Sequence, residues 1–404
     1  MTTPLTATLI RNVALPYGRG DLAVMDDRLI PAAAVARATE IDGSGLAAIP
    51  RLTDSHVHLD KALLGRYWRP HASGQSIAER IALEKAALRD PTLESTYVRA
   101  CRLVELAVSH GSTRLRSHVD ISAELGLTRL EALLAVRETY RDVVDITFVA
   151  FPQDGILSSP GTAELLDEAL SRGVEAIGGL DPASRDGDID GHLDIVFGLA
   201  ARHASDVDIH LHDPGTLGTY TMRAIADRTV SLGLQGRVAI SHGYALGMVD
   251  RPELERTARA LADASVALIT NVPGGHHRPP PEVLSQLGVN VVLASDNVRD
   301  SWSPYGKADM LERVALAGYL FSWNEDARLL AGLTHVTSAP SKLLGDPLAL
   351  LRPGDPADFT LVRASSVQEA IVVQPQERTV YRRGRVVADN GTVFLSTLIG
   401  SVAP

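Results

Sequence analysis

Two histidines separated by one residue on an extended segment point to the same side and can reach one ion. The chain carries two such pairs, His56-Val57-His58 and His210-Leu211-His212. Each ends a short apolar run, as do Ser241-His242 and Ser295-Asp296-Asn297. A single His-x-His is weak evidence, because histidines arise by chance on surfaces and in cores. Four run ends bearing imidazole or carboxylate groups together form a donor set suited to a borderline divalent metal. Such an ion lowers the pKa of bound water from about 15.7 toward about 7, so the expected chemistry is hydrolysis by hydroxide near neutral pH.

The elements that must position these groups recur regularly. Eight apolar, β-branched runs occupy 52–57, 113–119, 144–151, 174–180, 207–211, 237–241, 266–271 and 289–295. Stretches of helical periodicity separate them, among them 76–88, 93–109, 128–140 and 162–171. This alternation predicts βαβ units, a parallel sheet and an α/β fold class. Eight units across about 250 residues match a (β/α)8 TIM barrel; a doubly wound sheet more often has five or six strands. Catalytic groups of a barrel project from the C-terminal ends of its strands, which is where the motifs stand. They fall on the first strand (His56, His58), the fifth (His210, His212), the sixth (His242) and the eighth (Asp296). The chain ends read differently. Short runs at 7–13, 21–25 and 28–30, and again at 358–362, 370–373, 377–381 and 385–387, predict antiparallel strands with close-set turns. Neither end can bury a good core alone. Residues 1–50 and 352–404 are therefore expected to form one composite β-sandwich domain beside a barrel of residues 51–351.

Composition excludes other classes. The hydrophobic fraction of 45% and charged fraction of 22% in 404 residues are ordinary for a packed globular protein. Lys and Arg number 39 against 49 Asp and Glu, a net charge of −10 that argues against a nucleic-acid partner. No apolar run is long enough for a transmembrane helix, and the first residues lack a signal-peptide pattern. The one cysteine, Cys101, excludes a disulfide framework and a thiolate zinc cluster, and fits a cytoplasmic location. The expected partner is a small molecule. Exposed outer helices of a barrel allow a homo-oligomer without fixing its number.

In this order, His56-x-His58, His210, His242 and Asp296 resemble the amidohydrolase superfamily. Four runs resemble its cytosine deaminase-like branch: His56-Val57-His58-Leu59-Asp60-Lys61, Ser117-His118-Val119-Asp120, Val149-Ala150-Phe151-Pro152-Gln153-Asp154-Gly155 and Trp302-Ser303-Pro304-Tyr305-Gly306. The run Gly178-Gly179-Leu180-Asp181-Pro182-Ala183-Ser184-Arg185, with His210-Leu211-His212-Asp213 and Ser295-Asp296-Asn297, is closer still to the N-isopropylammelide isopropylaminohydrolases, which remove an alkylamine from a triazine ring. The resemblance extends to Gly354-Asp355-Pro356-Ala357-Asp358 near the C-terminus.

The resemblance implies a mononuclear site in which His56, His58, His210 and Asp296 hold one Zn²⁺ or Fe²⁺. The fourth strand offers no lysine for the carboxylated bridge of dinuclear relatives. Asp296 can also accept the water proton, and His242 can hydrogen-bond the nucleophile or stabilise the tetrahedral centre. Gln153 offers a donor and an acceptor to a heterocycle edge, Trp302 offers a ring face, and Asn297 joins them as a substrate contact. Asp181 and Arg185 either bind ring substituents or pair with each other. Cytosine deaminases carry a glutamate three residues after the fifth-strand histidine. Here that place holds Asp213, with His212 beside it, and both are candidates for the proton shuttle. His118 is either a support behind the ligands or a satisfied core histidine. Asp60 and Lys61 are expected to orient the first loop, and His276 and His277 to lie in a solvated loop. His71, His110, His192, His203 and His335 read as ordinary.

The expected function is a metal-dependent deaminase or aminohydrolase that releases ammonia or an amine from a cytosine-, triazine- or pterin-like heterocycle. The alternatives are cleavage of a cyclic or linear amide by the same chemistry, and a ligand-binding barrel without turnover. The intact donor set argues against the latter.

Overall fold

Eight parallel strands pair in chain order: β1 (Leu52–Val57), β2 (Ser112–Asp120), β3 (Asp145–Phe151), β4 (Ala176–Leu180), β5 (Asp206–Leu211), β6 (Val238–His242), β7 (Ala267–Thr270) and β8 (Val291–Leu293). The structure, a computed structural model, describes residues 7–65, 67–72, 76–274 and 277–395. The chain returns to β1 just after β8. The Asp296 amide donates to the His56 carbonyl at 2.7 Å, and the Ser295 amide to Asp54 Oδ1 at 3.0 Å. The expected barrel thus forms, sealed by the residues that carry its chemistry.

Period two explains the composition of the wall. Val57, Leu59, Leu115, Val119, Ile209 and Leu211 pack into the main apolar core. Their neighbours in sequence, His56, His58, Arg116, His118, Asp208 and His210, are buried and meet one another across the barrel interior. The surrounding helices begin where capping chemistry allows. Ser76 and Ser95 accept from the amides of Glu79 and Val98 to start helices Ile77–Leu88 and Thr96–Ser109. Helices Thr128–Tyr140 and Thr162–Ser171 occupy the stretches expected of them. No helix among the described residues is long and apolar enough to cross a membrane.

Both chain ends contribute to a second, nine-stranded sheet. Its N-terminal strands are Ala7–Leu15, Gly18–Met25, Arg28–Ile30, Ala38–Asp42 and Leu46–Pro50; its C-terminal strands are Phe359–Arg363, Arg378–Arg382, Arg385–Asp389 and Thr392–Val393. The halves join where Leu46–Pro50 runs antiparallel to Phe359–Arg363, with Ala48 opposite Leu361. Ile10, Val13, Leu22, Val24, Phe359 and Tyr381 fill a core shared by both ends. One expectation fails. Residues 370–373 are no strand but the end of helix Val367–Val373. Ser366 accepts from the Glu369 amide, and the Glu369 carboxylate accepts from the amide and hydroxyl of Ser365. This capping arrangement outweighs the β preference of Ile371, Val372 and Val373, and a short apolar run cannot itself distinguish helix from strand.

A buried ion pair ties the terminal sheet to the barrel side. Arg378, fully buried, donates to Asp309 Oδ1 at 2.9 Å and Oδ2 at 2.5 Å, and also to the His110 carbonyl at 2.6 Å. Asp309 in turn caps helix Met310–Leu320 through the Leu311 amide. Removing one member leaves a buried charge without its partner, so Arg378→Ala should destabilise the fold by about 3–5 kcal/mol. A shift in the denaturant midpoint measures this. A loss within error of zero would mean the pair adds nothing to the junction.

Candidate active site

The polar side chains of the barrel interior converge at its C-terminal mouth. His56 Nε2 lies 3.3 Å from His58 Nε2, and Asp296 Oδ1 lies 3.5 and 3.3 Å from those two nitrogens. Ligand atoms of His56, His118 and His210 fall within 4.8 Å of one another, as do those of His56, His242 and Asp296. His118 is therefore part of the cluster, its ring centroid 3.9 Å from that of His56 and 4.6 Å from that of His210. Burial drives His58, His210 and His242 well below the ordinary imidazole range; Lys61 adds to this at His58, neighbouring rings at His210, and His212 at His242. His118 is pushed down to about 3, again mainly by burial. Burial alone would raise Asp296, but the neighbouring His56 and His58 hold it well below the usual carboxylate range. The site thus combines neutral imidazoles with one carboxylate.

Supporting residues fix which nitrogen faces inward. Ser241 Oγ donates to Asp208 Oδ1 at 2.6 Å and must therefore accept from His56 Nδ1 at 2.8 Å. The His56 Nε2 lone pair is left facing His58 and Asp296. Asp208 is held below the carboxylate range by Arg116, against its own burial. Asp181 accepts from both the amide and Nδ1 of His212, at 2.5 and 2.9 Å, which turns His212 Nε2 away from that carboxylate. Burial would lower His212, but Asp181 outweighs it and the group is raised overall. His242, Asp296 and Asp181 take φ values of 73°, 60° and 38°. Histidine and aspartate adopt left-handed backbone more readily than most residues, and here it turns the chain at three strand ends.

The donor set fits a divalent cation. Both ring nitrogens of His210 and His118, Nδ1 of His58 and Nε2 of His242 are buried without a hydrogen-bond partner among the described residues. Buried polar atoms are rarely left so, and the one lone pair that each neutral ring carries is what a cation would satisfy.

A cavity of 390 Å³ opens above the cluster, a size suited to a small ligand. His58, His210, His212, His242 and Asp296 line it, as do Gln153, Asn297 and Trp302. Gln153 Oε1 accepts from Lys61 Nζ, Asn297 donates to Asp300 at 2.6 Å, and Trp302 Nε1 donates to Glu84 at 2.5 Å. Three expected residues face elsewhere. Asp213 accepts from the amides of Ala183 and Ser184 at 3.3 and 3.2 Å, organising the loop after β4. Asp181 is held by His212, and the Arg185 side chain reaches Asp154 at 3.6 Å instead of Asp181. His276 lies outside the described residues, and His277 is exposed. Of the histidines read as ordinary, His192 pairs with Asp186, His203 with Asp167, and His110 and His335 with backbone carbonyls, while His71 is exposed.

Glu84, Tyr244 and Asn271 carry no sequence motif, unlike Lys61 and Asp120, which stand in the runs at 56–61 and 117–120. Lys61 is more than a loop support: it lines the cavity, with Nζ 5.0 Å above the Phe151 ring and 3.5 Å from buried Glu84. Burial would raise Glu84, but Lys61 and Arg129 keep it below the carboxylate range. Burial pushes Asp120, in the same cluster, up to about 7. Tyr244 and Asn271 also line the cavity, and Asn271 Nδ2 donates to Asp296 Oδ2 at 2.7 Å. Glu84 sits on a helix and Tyr244 on a short turn, where nothing in the local pattern distinguishes them. Arg116-x-His118 and Asp208-x-His210, by contrast, put polar residues at period two inside buried strands, a readable sign of an interior polar cluster.

A histidine- and aspartate-lined centre at the C-terminal mouth of a parallel barrel is the arrangement of a metal-dependent hydrolase. The chain belongs to the amidohydrolase family, whose model matches residues 39–388. It is 28% identical over 384 residues, 92% of this chain and 94% of the other, to N-isopropylammelide isopropyl amidohydrolase of Pseudomonas sp. strain ADP. The crystal structure of N-isopropylammelide isopropylaminohydrolase from Burkholderia multivorans superposes with a TM-score of 0.91 at 36% identity, covering 96% of this chain and 100% of that one. A 5-methylcytosine deaminase from Klebsiella pneumoniae, liganded with phosphonocytosine, gives 0.81 at 26% identity, covering 94% and 98%.

Ser241 orients a ring whose outward nitrogen faces the cluster. Ser241→Ala should therefore weaken Zn²⁺ affinity by about 10–100-fold, read by competition with a chromogenic chelator. Unchanged affinity would count against the orientation assigned to His56.

Proposed function

We propose that this chain is an aminohydrolase that uses water to displace ammonia or an alkylamine from the amidine-type carbon of a pyrimidine-, triazine- or pterin-like ring. The observation that carries the proposal is the convergence of Asp296 Oδ1 with His56 Nε2 and His58 Nε2 at the floor of a cavity, beside the unpartnered His210. His56, His58, His210 and Asp296 would hold one Zn²⁺ or Fe²⁺, since nitrogen and oxygen donors suit both. When bound, that ion supplies acidified water near neutral pH. The names borne by the relatives, an isopropylaminohydrolase and a 5-methylcytosine deaminase, support a C–N bond of a ring substituent as the target. The single cysteine agrees with a cytoplasmic setting.

The chain's own groups divide the work. Asp296 accepts the proton of the attacking water. His212, raised by Asp181 and lining the cavity, is the group suited to carry a proton to the departing nitrogen. Asp213 organises the loop after β4 through its two amide contacts. Trp302 and Phe151 present ring faces, and Gln153 and Asn297 amides, to a flat polar ligand.

Metal analysis followed by a screen of aminated pyrimidines, triazines, purines and pterins tests this reading. Release of ammonia or amine supports it; ring opening without amine release points to amide hydrolysis; a metal-free, inert protein points to a binding barrel. On the active substrate, His212→Gln should lower kcat by about 10²–10⁴ with metal content retained. Asp213→Asn should chiefly lower thermal stability. The reverse ranking in kcat, with both variants folded, would assign the shuttle to Asp213.

A further inference from the structure

Hydrogen-bond direction around His242 is fixed from one end. A carboxylate oxygen only accepts, so Asn271 must turn its Nδ2 toward Asp296 Oδ2, at 2.7 Å. That leaves Asn271 Oδ1, an acceptor, for Tyr244, whose hydroxyl lies 3.1 Å away and must donate to it. The hydroxyl has one proton. Its remaining contact, His242 Nδ1 at 3.1 Å, must therefore be a donor to it. The chain runs one way, from His242 through Tyr244 and Asn271 to Asp296. The His242 ring is buried among His56, His210 and His212. Its Nε2 is buried and has no hydrogen-bond partner among the described residues.

We propose that Tyr244 and Asn271 are positioning residues that hold His242 in its Nδ1–H tautomer, so that Nε2 enters the site as an acceptor. This rests on the reading of the cavity as a hydrolytic site. It decides between the two roles open to His242: a lone pair can accept a hydrogen bond from the attacking water, whose proton goes to Asp296, but cannot donate to a developing oxyanion. Arg313 holds the Asn271 carbonyl at 3.1 Å, which fixes the middle of the chain. The same linkage fixes Asp296, leaving Oδ1 for His56 and His58 and Oδ2 for Asn271.

The test is long-range ¹H–¹⁵N NMR of histidine-labelled protein, with and without Zn²⁺, His242 being assigned by comparison with His242→Asn. The wild type should show a protonated Nδ1 and a pyridine-like Nε2. Tyr244→Phe, which keeps the ring, should redistribute that tautomer and lower kcat by about 10–100-fold, while KM and metal content stay near wild type. Asn271→Ala, cutting the chain one link further on, should give the same spectral change. A wild-type Nε2–H tautomer overturns the proposal, and so does a fall in kcat with the tautomer unchanged. The spectra need no substrate, so they stand or fall separately from the assignment of aminohydrolase activity.

Discussion

The site depends on keeping nitrogen lone pairs buried without partners. Each unpartnered buried nitrogen costs about 1–3 kcal/mol relative to a satisfied group; a neutral ring carries one lone pair and one N–H, so His210 and His118 each leave one of both unpartnered, and His58 and His242 leave one nitrogen apiece. A closed barrel can sustain this because its wall alternates. Outward residues such as Leu115 and Ile209 bury apolar area against the helices, while their inward neighbours meet at the mouth. Around the lone pairs stand groups whose own bonding is complete, including Ser241 on Asp208 and Asp181 on His212. Rigid supports of this kind hold the unsatisfied atoms in a fixed geometry, so a cation meets ligands already in place.

Barrel closure and chemistry share one segment. The Asp296 amide completes the seam with β1 while its carboxylate faces the imidazoles. The left-handed backbone at Asp296 reconciles the two tasks, since it lets the main chain turn back to β1 as the side chain enters the mouth. Stability and activity are therefore coupled at this residue more closely than at Gln153 or Trp302, which line the cavity from loops.

The fold was legible because it follows period and count. The runs at 52–57 and 207–211 returned as strands Leu52–Val57 and Asp206–Leu211, and helices such as Thr128–Tyr140 stood where periodicity put them. The strand-end histidines were legible for the same reason, since a barrel has one mouth. Side-chain direction was not. His212 and Asp213 are adjacent in sequence, yet one lines the cavity and the other serves loop amides, a difference created by the turn after β5 and by Asp181 from β4. Glu84 was hidden because a carboxylate on an amphipathic helix reads as solvated, and only the packing of that helix against Trp302 and Lys61 buries it. Residues 370–373 failed where capping by Ser366 overrode β preference.

Joining the two ends of the chain in one sheet has a consequence for synthesis on the ribosome. Strand Leu46–Pro50 emerges early, but its antiparallel partner Phe359–Arg363 follows some 300 residues later, a wait of roughly 15–60 s at about 5–20 residues per second. Through that interval one edge of the nascent N-terminal sheet stays open, and apolar Ala48 and Ile49 await the cover they have in the finished fold. Until Phe359–Arg363 emerges, that edge is open to pairing with other strands.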